Sequence, residues 1–213
     1  MALMTVVDYG MGNLRSVARA LEHVAPAATR VQVSDRAAAI ERADRVVFPG
    51  QGAARDCMRA IDAHALREPL MAAARSRPFL GMCMGLQVLL DYSEENGGTD
   101  CLGLLPGQVR AFPRDLHTAD GERCKIPHMG WNRVHATQPH PLWEGIAADS
   151  RFYFVHGYYA VPAHAGDTAA TTDHGGPFCA ALARDNVFAC QFHPEKSSSD
   201  GLRLLRNFIE WTP

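Results

Sequence analysis

The feature that most constrains the fold is the alternation of short apolar runs with helix-period segments through the first half of the chain. Apolar runs predict strands at residues 5–9, 30–33, 45–48 and 78–80. Segments of helical periodicity lie between or after them, at residues 13–24, 36–43, 54–61, 66–75 and 86–92. Strands separated by helices of this length favour a parallel sheet covered by helices on both faces.

The second half of the chain has a different pattern. Strands with short turns between them are predicted at residues 109–112, 133–136, 152–161, 168–172, 178–183 and 187–192. A final amphipathic helix is predicted at residues 202–211, with one apolar side made by Leu204, Leu205, Phe208 and Ile209. The expected fold is therefore α/β in three layers: a mixed, mostly parallel central sheet flanked by helices, with a small antiparallel sheet added. Without a linker or repeat, residues 1–213 are predicted to form a single domain.

The composition excludes several classes of function. The chain has 21 Lys and Arg residues against 23 Asp and Glu, a formal net charge of -2, so we expect no nucleic-acid partner and no membrane partner. No run of about 18 apolar residues could span a bilayer, and the first residues have a strand pattern rather than that of a secretory signal. Six scattered cysteines predict free thiols in a reducing cytoplasm. The histidines match no metal-ligand spacing, and we expect neither a metal nor a cofactor.

A glycine-flanked cysteine is the first motif that carries chemistry. Gly81-Met82-Cys83-Met84-Gly85 follows a predicted strand and begins a predicted helix, which is the setting of a nucleophile elbow. The glycines would allow a tight, strained turn, and the positive end of the helix favours the thiolate of Cys83. The backbone N–H of Met84 would then stabilise an oxyanion. The alternative is a buried cysteine in a glycine-rich loop.

A histidine and a carboxylate follow a strand much later in the chain. In Gln191-Phe192-His193-Pro194-Glu195-Lys196, residues two apart on extended backbone face the same side, so His193 and Glu195 can project together. A carboxylate beside an imidazole fixes its tautomer and makes it a general base for a thiol. Together with Cys83, the pair predicts a catalytic triad rather than an unrelated histidine and glutamate.

Two glycine-rich turns need separate interpretations. Phe48-Pro49-Gly50-Gln51-Gly52-Ala53 follows a strand next to that of the cysteine, so its backbone could supply a second oxyanion donor. Gly10-Met11-Gly12-Asn13 is similar to a dinucleotide fingerprint, but Arg15 stands where the third glycine would fall. We therefore do not predict nucleotide binding there.

The combined motifs resemble one enzyme family over the whole chain. Gly81–Gln87 with His193-Pro194-Glu195 is similar to the class I, triad-type glutamine amidotransferases. Within that family, four stretches resemble the glutaminase subunits of histidine biosynthesis, namely residues 8–14, 126–132, 152–158 and 191–197.

This resemblance implies a reaction and a set of site residues. Cys83 would attack the side-chain amide of L-glutamine, His193 would move the protons, and Glu195 would orient His193. Gly52 and Met84 would supply oxyanion N–H groups. Substrate-binding positions implied by the family motifs are Gly50, Gln87, Glu95, His156, Gly157 and Tyr158. Glu95 also suits the substrate ammonium on chemical grounds, with its neighbour Glu94 as the alternative.

The resemblance also implies a partner. Its relatives form a heterodimer with a (βα)8-barrel cyclase subunit, which receives the ammonia before water can protonate it. Positions expected at or near that interface are Asn13, Trp131, Tyr153 and Lys196. Turnover is expected to be weak in the isolated chain and to rise when the loaded cyclase binds.

Three alternatives remain open from the sequence. One is another triad glutaminase, of the kind that serves anthranilate or aminodeoxychorismate synthesis. A second is a cysteine peptidase or esterase built on a similar elbow. The third, an inactive interaction subunit, is disfavoured by the complete set of Cys83, His193 and Glu195.

Overall fold

The structure is a computed structural model that describes residues 1–213. Its strands are β1 (Ala2–Val7), β2 (Thr29–Ser34), β3 (Arg45–Gly50), β4 (Phe79–Cys83), β5 (Tyr92–Ser93), β6 (Thr99–Asp100), β7 (Gly107–Ala111), β8 (His128–Arg133), β9 (His135–Ala136), β10 (Arg151–His156), β11 (Tyr158–Pro162), β12 (Thr168–Asp173), β13 (Pro177–Arg184) and β14 (Val187–Cys190). Its helices are α1 (Leu14–Val24), α2 (Ala37–Glu41), α3 (Ala54–Ala63), α4 (Arg67–Ala74), α5 (Met84–Gln87) and α6 (Ser198–Glu210).

Most strands belong to one mixed sheet. Its order is β2-β1-β3-β4-β14-β13-β11-β7-β5-β6, with β12 paired to β13 and β9 paired to β12. Strands β2, β1, β3, β4 and β14 are parallel neighbours, whereas β13 and β11 continue the sheet in antiparallel pairing. Strands β8 and β10 form a separate two-stranded antiparallel sheet. The predicted mixed sheet with a small antiparallel addition is confirmed.

Two apolar cores cover the two faces of the large sheet. One core contains buried residues of α2, α3 and α4, and the other contains buried residues of α1 and α6. The predicted apolar side of the last helix is buried in the second core, through Leu204, Leu205, Phe208 and Ile209. None of the helices has the length and the apolar composition that a membrane-spanning helix needs.

One predicted helix is wrong because tertiary contacts override its periodicity. Residues 86–92 were expected to be helical, but α5 ends at Gln87. The carbonyls of Val88 and Leu90 instead accept hydrogen bonds from the N–H groups of Leu102 and Gly103, at 2.9 Å each. Their apolar side chains are buried in the first core without needing a helix.

Two strand predictions also need correction. The single strand expected at residues 152–161 is broken at Gly157, so β10 joins the small sheet and β11 joins the large one. The strand expected at residues 133–136 is divided: Arg133 ends β8, which begins at His128 and pairs with β10, whereas His135–Ala136 form β9, which pairs with β12 of the large sheet. In both cases one predicted strand is divided between the small sheet and the large one.

Candidate active site

Cys83 lies at the junction of β4 and α5. Its backbone has φ +55° and ψ −110°, a region that costs about 1–3 kcal/mol for a residue with a side chain, and the residue is 7% exposed. The flanking glycines allow close approach rather than the strained turn predicted for them. A Cβ on Gly85 would lie 1.9 Å from the carbonyl oxygen of Phe48, and one on Gly81 would lie 2.9 Å from that of Gly85. The strain of the elbow is carried by the cysteine itself.

The helix after Cys83 is shorter than expected. With only Met84–Gln87 in α5, the helix dipole that acts on the sulfur is that of one turn. The thiol has a direct polar contact as well, because Gln191 Nε2 donates to Cys83 Sγ at 3.8 Å.

His193 and Glu195 form a buried pair directly after β14. His193 Nδ1 lies 2.9 Å from Glu195 Oε1, and the two side chains are 4% and 1% exposed. The backbone of His193 is held by two further bonds: its N–H donates to the carbonyl of Tyr153 at 2.9 Å, and its carbonyl accepts from Ser197 Oγ at 2.6 Å. The other ring nitrogen, Nε2, is buried without a partner and remains available to Cys83.

The protonation of His193 reflects this environment. Burial alone would lower its pKa, but the interactions with Cys83 and Glu195 outweigh burial and raise the pKa to about 9. The imidazolium is therefore stabilised beside the cysteine sulfur, as an acid–base partner for a thiol requires.

A cavity of about 350 Å³ brings most of the predicted site residues together. Its lining contains Gly52, Cys83, Met84, Gln87, Glu95, His156, Gly157, Tyr158 and His193, as well as Lys196 from the predicted partner surface. Gly50 and Glu195 do not line this cavity; they line a very small second one, which His193 and Gln51 also touch. The volume is in the range of small-ligand sites.

Two buried glutamines connect the elbow to the opposite wall of the cavity. Gln87 Nε2 donates to Gln191 Oε1 and to the carbonyl of Tyr158, both at 2.9 Å. Gln87 Oε1 has no partner. Gln191 was not among the predicted site residues, although it lies two positions before His193 on extended chain and so faces the same side.

The structure separates the two neighbouring glutamates. Glu95 lines the cavity, and its Oε2 accepts a hydrogen bond from the N–H of Ala54 at 2.7 Å, at the beginning of α3. Glu94 instead accepts a hydrogen bond from the N–H of Ala111 at the end of β7. Glu94 therefore has a structural partner, and Glu95 is the carboxylate that faces the cavity.

The glycine loop after β3 is held from behind by side chains. Tyr9 Oη donates to the carbonyl of Pro49 at 2.9 Å, and Cys57 Sγ donates to that of Gln51 at 3.6 Å. Gly52 has φ +88°, and a Cβ on Gly50 would lie 2.3 Å from Tyr9 Oη. This loop therefore requires glycine at both positions.

The segment that is similar to a dinucleotide fingerprint packs against this loop. A Cβ on Gly12 would lie 3.8 Å from Gly50 Cα, and one on Gly52 would lie 2.6 Å from Met11 Cε. Gly10 and Gly12 have φ +83° and +108°, a region that favours glycine, so the turn itself accounts for both glycines without a nucleotide. No group of three or more His, Cys, Asp or Glu side chains is arranged to hold a metal ion.

The residues predicted for the partner surface fall into two places. Trp131 and Tyr153 are directly opposite on β8 and β10, with ring centroids 6.2 Å apart in an edge arrangement. Lys196 Nζ lies 5.8 Å from the centroid of the Tyr153 ring. Asn13 lies apart from them, beside the small cavity that also touches His193 and Glu195.

Known proteins match this chain over its full length. The family described as glutamine amidotransferase class-I matches residues 5–211. The chain is 58% identical over 211 residues to an imidazole glycerol phosphate synthase subunit HisH of Thiobacillus denitrificans, covering 99% of this chain and 92% of that protein. It is also 58% identical over 214 residues to the subunit of the same name of Methylococcus capsulatus, covering 100% of this chain and 98% of that protein.

Solved structures show the same fold at low sequence identity. A structure of PurLQS from Thermotoga maritima superposes with a TM-score of 0.72 at 19% identity and covers 98% of both chains. The glutaminase domain of a Trypanosoma brucei CTPS, with bound acivicin, superposes with a TM-score of 0.65 at 17% identity, covering 100% of this chain and 96% of that one.

The chain therefore belongs to the class-I glutamine amidotransferase family. It is an enzyme that hydrolyses glutamine, and the predictions of family, fold and enzyme class are confirmed. Within the family, its full-length similarity is to HisH, the subunit of imidazole glycerol phosphate synthase.

Proposed function

We propose that this chain is the glutaminase subunit of an imidazole glycerol phosphate synthase, and that Cys83, His193 and Glu195 are its catalytic triad. The observation that carries the proposal is the buried bond between His193 Nδ1 and Glu195 Oε1, with Nε2 unpartnered and with His193 lining the same cavity as Cys83. A base oriented by a carboxylate beside a thiol is the arrangement that covalent catalysis by cysteine needs.

The proposed reaction proceeds through a thioester. Cys83 gives its proton to His193, and the sulfur attacks the side-chain carbonyl carbon of L-glutamine. His193 then protonates the departing nitrogen, which leaves as ammonia. Water, deprotonated by His193, attacks the thioester, and the proton returns to the sulfur as glutamate is released. The N–H groups of Met84 and Gly52 are proposed to stabilise the oxyanion formed in each attack.

The amino-acid end of glutamine is proposed to bind at the other end of the cavity. Glu95 supplies a carboxylate for the substrate ammonium, and Gln87 Oε1 is a buried acceptor without another partner. An unpaired buried acceptor costs about 1–3 kcal/mol, so a substrate N–H at Gln87 would remove an existing penalty. Gly50 supports the wall through its loop, and the segment of His156, Gly157 and Tyr158 forms the facing side.

Ammonia is proposed to pass to a partner rather than to solvent. The partner is a (βα)8-barrel cyclase that forms imidazole glycerol phosphate and AICAR in histidine biosynthesis, in a heterodimer with this chain. Trp131, Tyr153 and Lys196 are proposed to form part of the interface, with Asn13 near it. All six cysteines are free thiols, which supports a cytoplasmic location.

The test separates glutamine hydrolysis from use of ammonia. In a complex with the cyclase, Cys83→Ala is expected to abolish glutamine-dependent synthesis, because the nucleophile is gone, but to leave synthesis from added ammonium salts within about twofold of the parent. Product formation from each nitrogen source is measured in the same preparation. Loss of both activities would contradict the separation of the two sites.

The nucleophile is identified with a glutamine-analogue electrophile and peptide mass spectrometry. Cys83 is expected to be labelled, and the label is expected to be lost in Cys83→Ala. Cys57 and Cys101 are internal controls, because both are buried thiols and burial raises their pKa values, to about 12 and about 11. Labelling of either one in place of Cys83 would overturn the assignment.

A further inference from the structure

A chain of hydrogen bonds runs from β8 to the wall of the cavity. Asn132 Nδ2 lies 3.1 Å from His128 Nε2, and His128 Nδ1 lies 3.1 Å from His156 Nε2. His156 Nδ1 lies 2.8 Å from the carbonyl oxygen of Tyr158. That oxygen also accepts from Gln87 Nε2 at 2.9 Å, so the chain ends on a backbone atom of the cavity wall.

The two ends of this series of hydrogen bonds determine which atom donates in each of them. Asn132 Nδ2 also donates to the carbonyl of Asp173 at 2.7 Å, and Asn132 Oδ1 accepts from the N–H of Arg133 at 2.8 Å, which settles the orientation of the amide. His128 Nε2 must then accept, so its proton is on Nδ1 and is donated to His156 Nε2. His156 must therefore carry its proton on Nδ1, and this is what the carbonyl of Tyr158 requires independently.

The surroundings keep both imidazoles neutral. His128 and His156 are 5% and 7% exposed, and the ring of His174 lies 4.3 Å from that of His128. Phe112, Phe154 and Phe178 surround the pair. Burial lowers the pKa of His128 to about 4 and that of His156 to about 3, so neither ring is charged near neutral pH.

We propose that Asn132 and His128 are positioning residues for glutamine binding, which they serve through His156 and the carbonyl of Tyr158. The inference rests on the proposed function of the cavity. Both ring nitrogens of His156 already form hydrogen bonds, one with His128 and one with the carbonyl of Tyr158. His156 therefore contributes by holding the segment 156–158 in place and not by a ring contact with the substrate. Gln87 shares the same carbonyl, so displacement of that carbonyl also moves the amide whose Oε1 is free for the substrate.

The first test observes the proton positions directly. Nitrogen-15 NMR of histidine-labelled protein near pH 7 is expected to show His128 and His156 both neutral and both protonated on Nδ1. In Asn132→Asp, a carboxylate faces His128 Nε2, so the proton of His128 moves to that nitrogen and His156 loses its donor. The spectrum of His156 is then expected to change, although residue 132 does not touch it. An Nε2-protonated His156 in the parent protein would overturn the proposal.

The second test measures glutamine binding by calorimetry in a Cys83→Ala parent, where no turnover occurs. His128→Leu removes the donor to His156 and is expected to weaken glutamine binding about tenfold. His128→Asn is the matched control, because its amide nitrogen can stand where Nδ1 stands, and it is expected to stay within about threefold of the parent. Equal binding by the parent and His128→Leu, or equal loss in both variants, would contradict the positioning role.

A double-mutant cycle separates positioning from loss of fold. Asn132→Asp in the His128→Leu protein is expected to cause no further loss of glutamine binding, because the series of hydrogen bonds from Asn132 to Tyr158 is already interrupted at residue 128. Additive losses would show independent structural effects and would overturn the proposal. If the Cys83→Ala parent itself fails to bind glutamine while its fold is intact, the proposed function of the cavity fails, and the positioning role fails with it.

Discussion

At the scale of single residues, Cys83 has an unusual backbone conformation and His193 has an unusual protonation. Cys83 has a positive φ at the end of a buried strand, and His193 has a raised pKa although it is buried. The positive φ of Cys83 occurs where the elbow packs closely against neighbouring backbone. The raised pKa of His193 depends on its interactions with Cys83 and Glu195. Such departures concentrate at reactive sites because packing elsewhere stabilises them.

The titration of His193 is a direct prediction at this scale. NMR is expected to place its pKa near 9 in the native chain, as against the ordinary value of 6.5, and to place it lower in Cys83→Ala. Because the pKa of His193 is higher in the folded state than in the unfolded state, protonation of His193 stabilises the fold. This stabilisation is complete below pH 6.5 and is lost as the pH rises through 9. Its contribution to the free energy of unfolding therefore falls over that range, by at most about 3 kcal/mol. A native midpoint below 7 would contradict this.

The sequence predicts residues with distinctive chemistry better than residues that act through geometry. Cys83, His193 and Glu195 belong to motifs whose chemistry requires those residue types, whereas Glu95 was expected from the resemblance and from its charge. Gln191 gave no comparable signal, because a buried amide becomes informative only when its partners are known. The direction of the protons in His128 and His156 is likewise set by contacts across strands, and no spacing along the chain reveals it.

At the scale of the element, the elbow depends on two glycines that lie against backbone. Gly85→Ala is expected to destabilise the fold by about 2–4 kcal/mol and to abolish glutamine hydrolysis. The physical reason is that its Cβ would lie 1.9 Å from the carbonyl oxygen of Phe48, which belongs to β3 and cannot move without shifting the sheet. Urea unfolding monitored by circular dichroism measures the change in stability.

The chain offers a matched control for this substitution. A Cβ on Gly166 meets nothing within 4 Å, and its φ is outside the range that disfavours side chains. Gly166→Ala is expected to change the free energy of unfolding by less than about 0.5 kcal/mol. If both variants were equally stable, close packing at the elbow would not be the reason for its glycine.

The elements that the sequence predicts correctly are those whose burial follows a simple periodicity. The last helix buries the predicted apolar side, and the parallel strands occur near their predicted places. The helix predicted at 86–92 is wrong because the N–H groups of residues 102–105 bond to the carbonyls of Val88, Leu89 and Leu90, so that only Leu86 and Gln87 of the predicted residues are helical. The single strand predicted at 152–161 is wrong for a different reason: both halves are strands, and only their pairing partners, β8 and β7, show that the chain breaks at Gly157.

At the scale of the whole molecule, the large sheet with its two cores and the small sheet together position the cavity that contains Cys83 and His193. The relatives it matches over nearly their full length are subunits by name, and the chain covers 92% and 98% of the two described above. Glutamine hydrolysis releases ammonia, which acts as a nucleophile only if a site that uses it is close enough to receive it before water protonates it. The exposed ring of Trp131 packs on the half-buried ring of Tyr153, and both lie near the segment of His193, because the N–H of His193 donates to the carbonyl of Tyr153.

Trp131 supplies the prediction at this scale. It is 49% exposed and packs its ring edgewise on Tyr153, so it presents a rigid aromatic surface to a partner. Trp131→Ala is expected to weaken binding of the cyclase by about 30-fold, the range of an interface residue that dominates affinity.

Val33→Ala, at an exposed apolar position on edge strand β2, is the control and is expected to leave that affinity unchanged. Glutamine binding by the Cys83→Ala parent is expected to be the same with and without Trp131→Ala, because the Trp131 side chain does not line the cavity. The affinity for the cyclase is measured on surface-immobilised cyclase, and the affinity for glutamine is measured by calorimetry. An unchanged affinity for the cyclase would remove Trp131 from the interface. Loss of both affinities would mean that the Trp131 ring stabilises the fold of the small sheet instead.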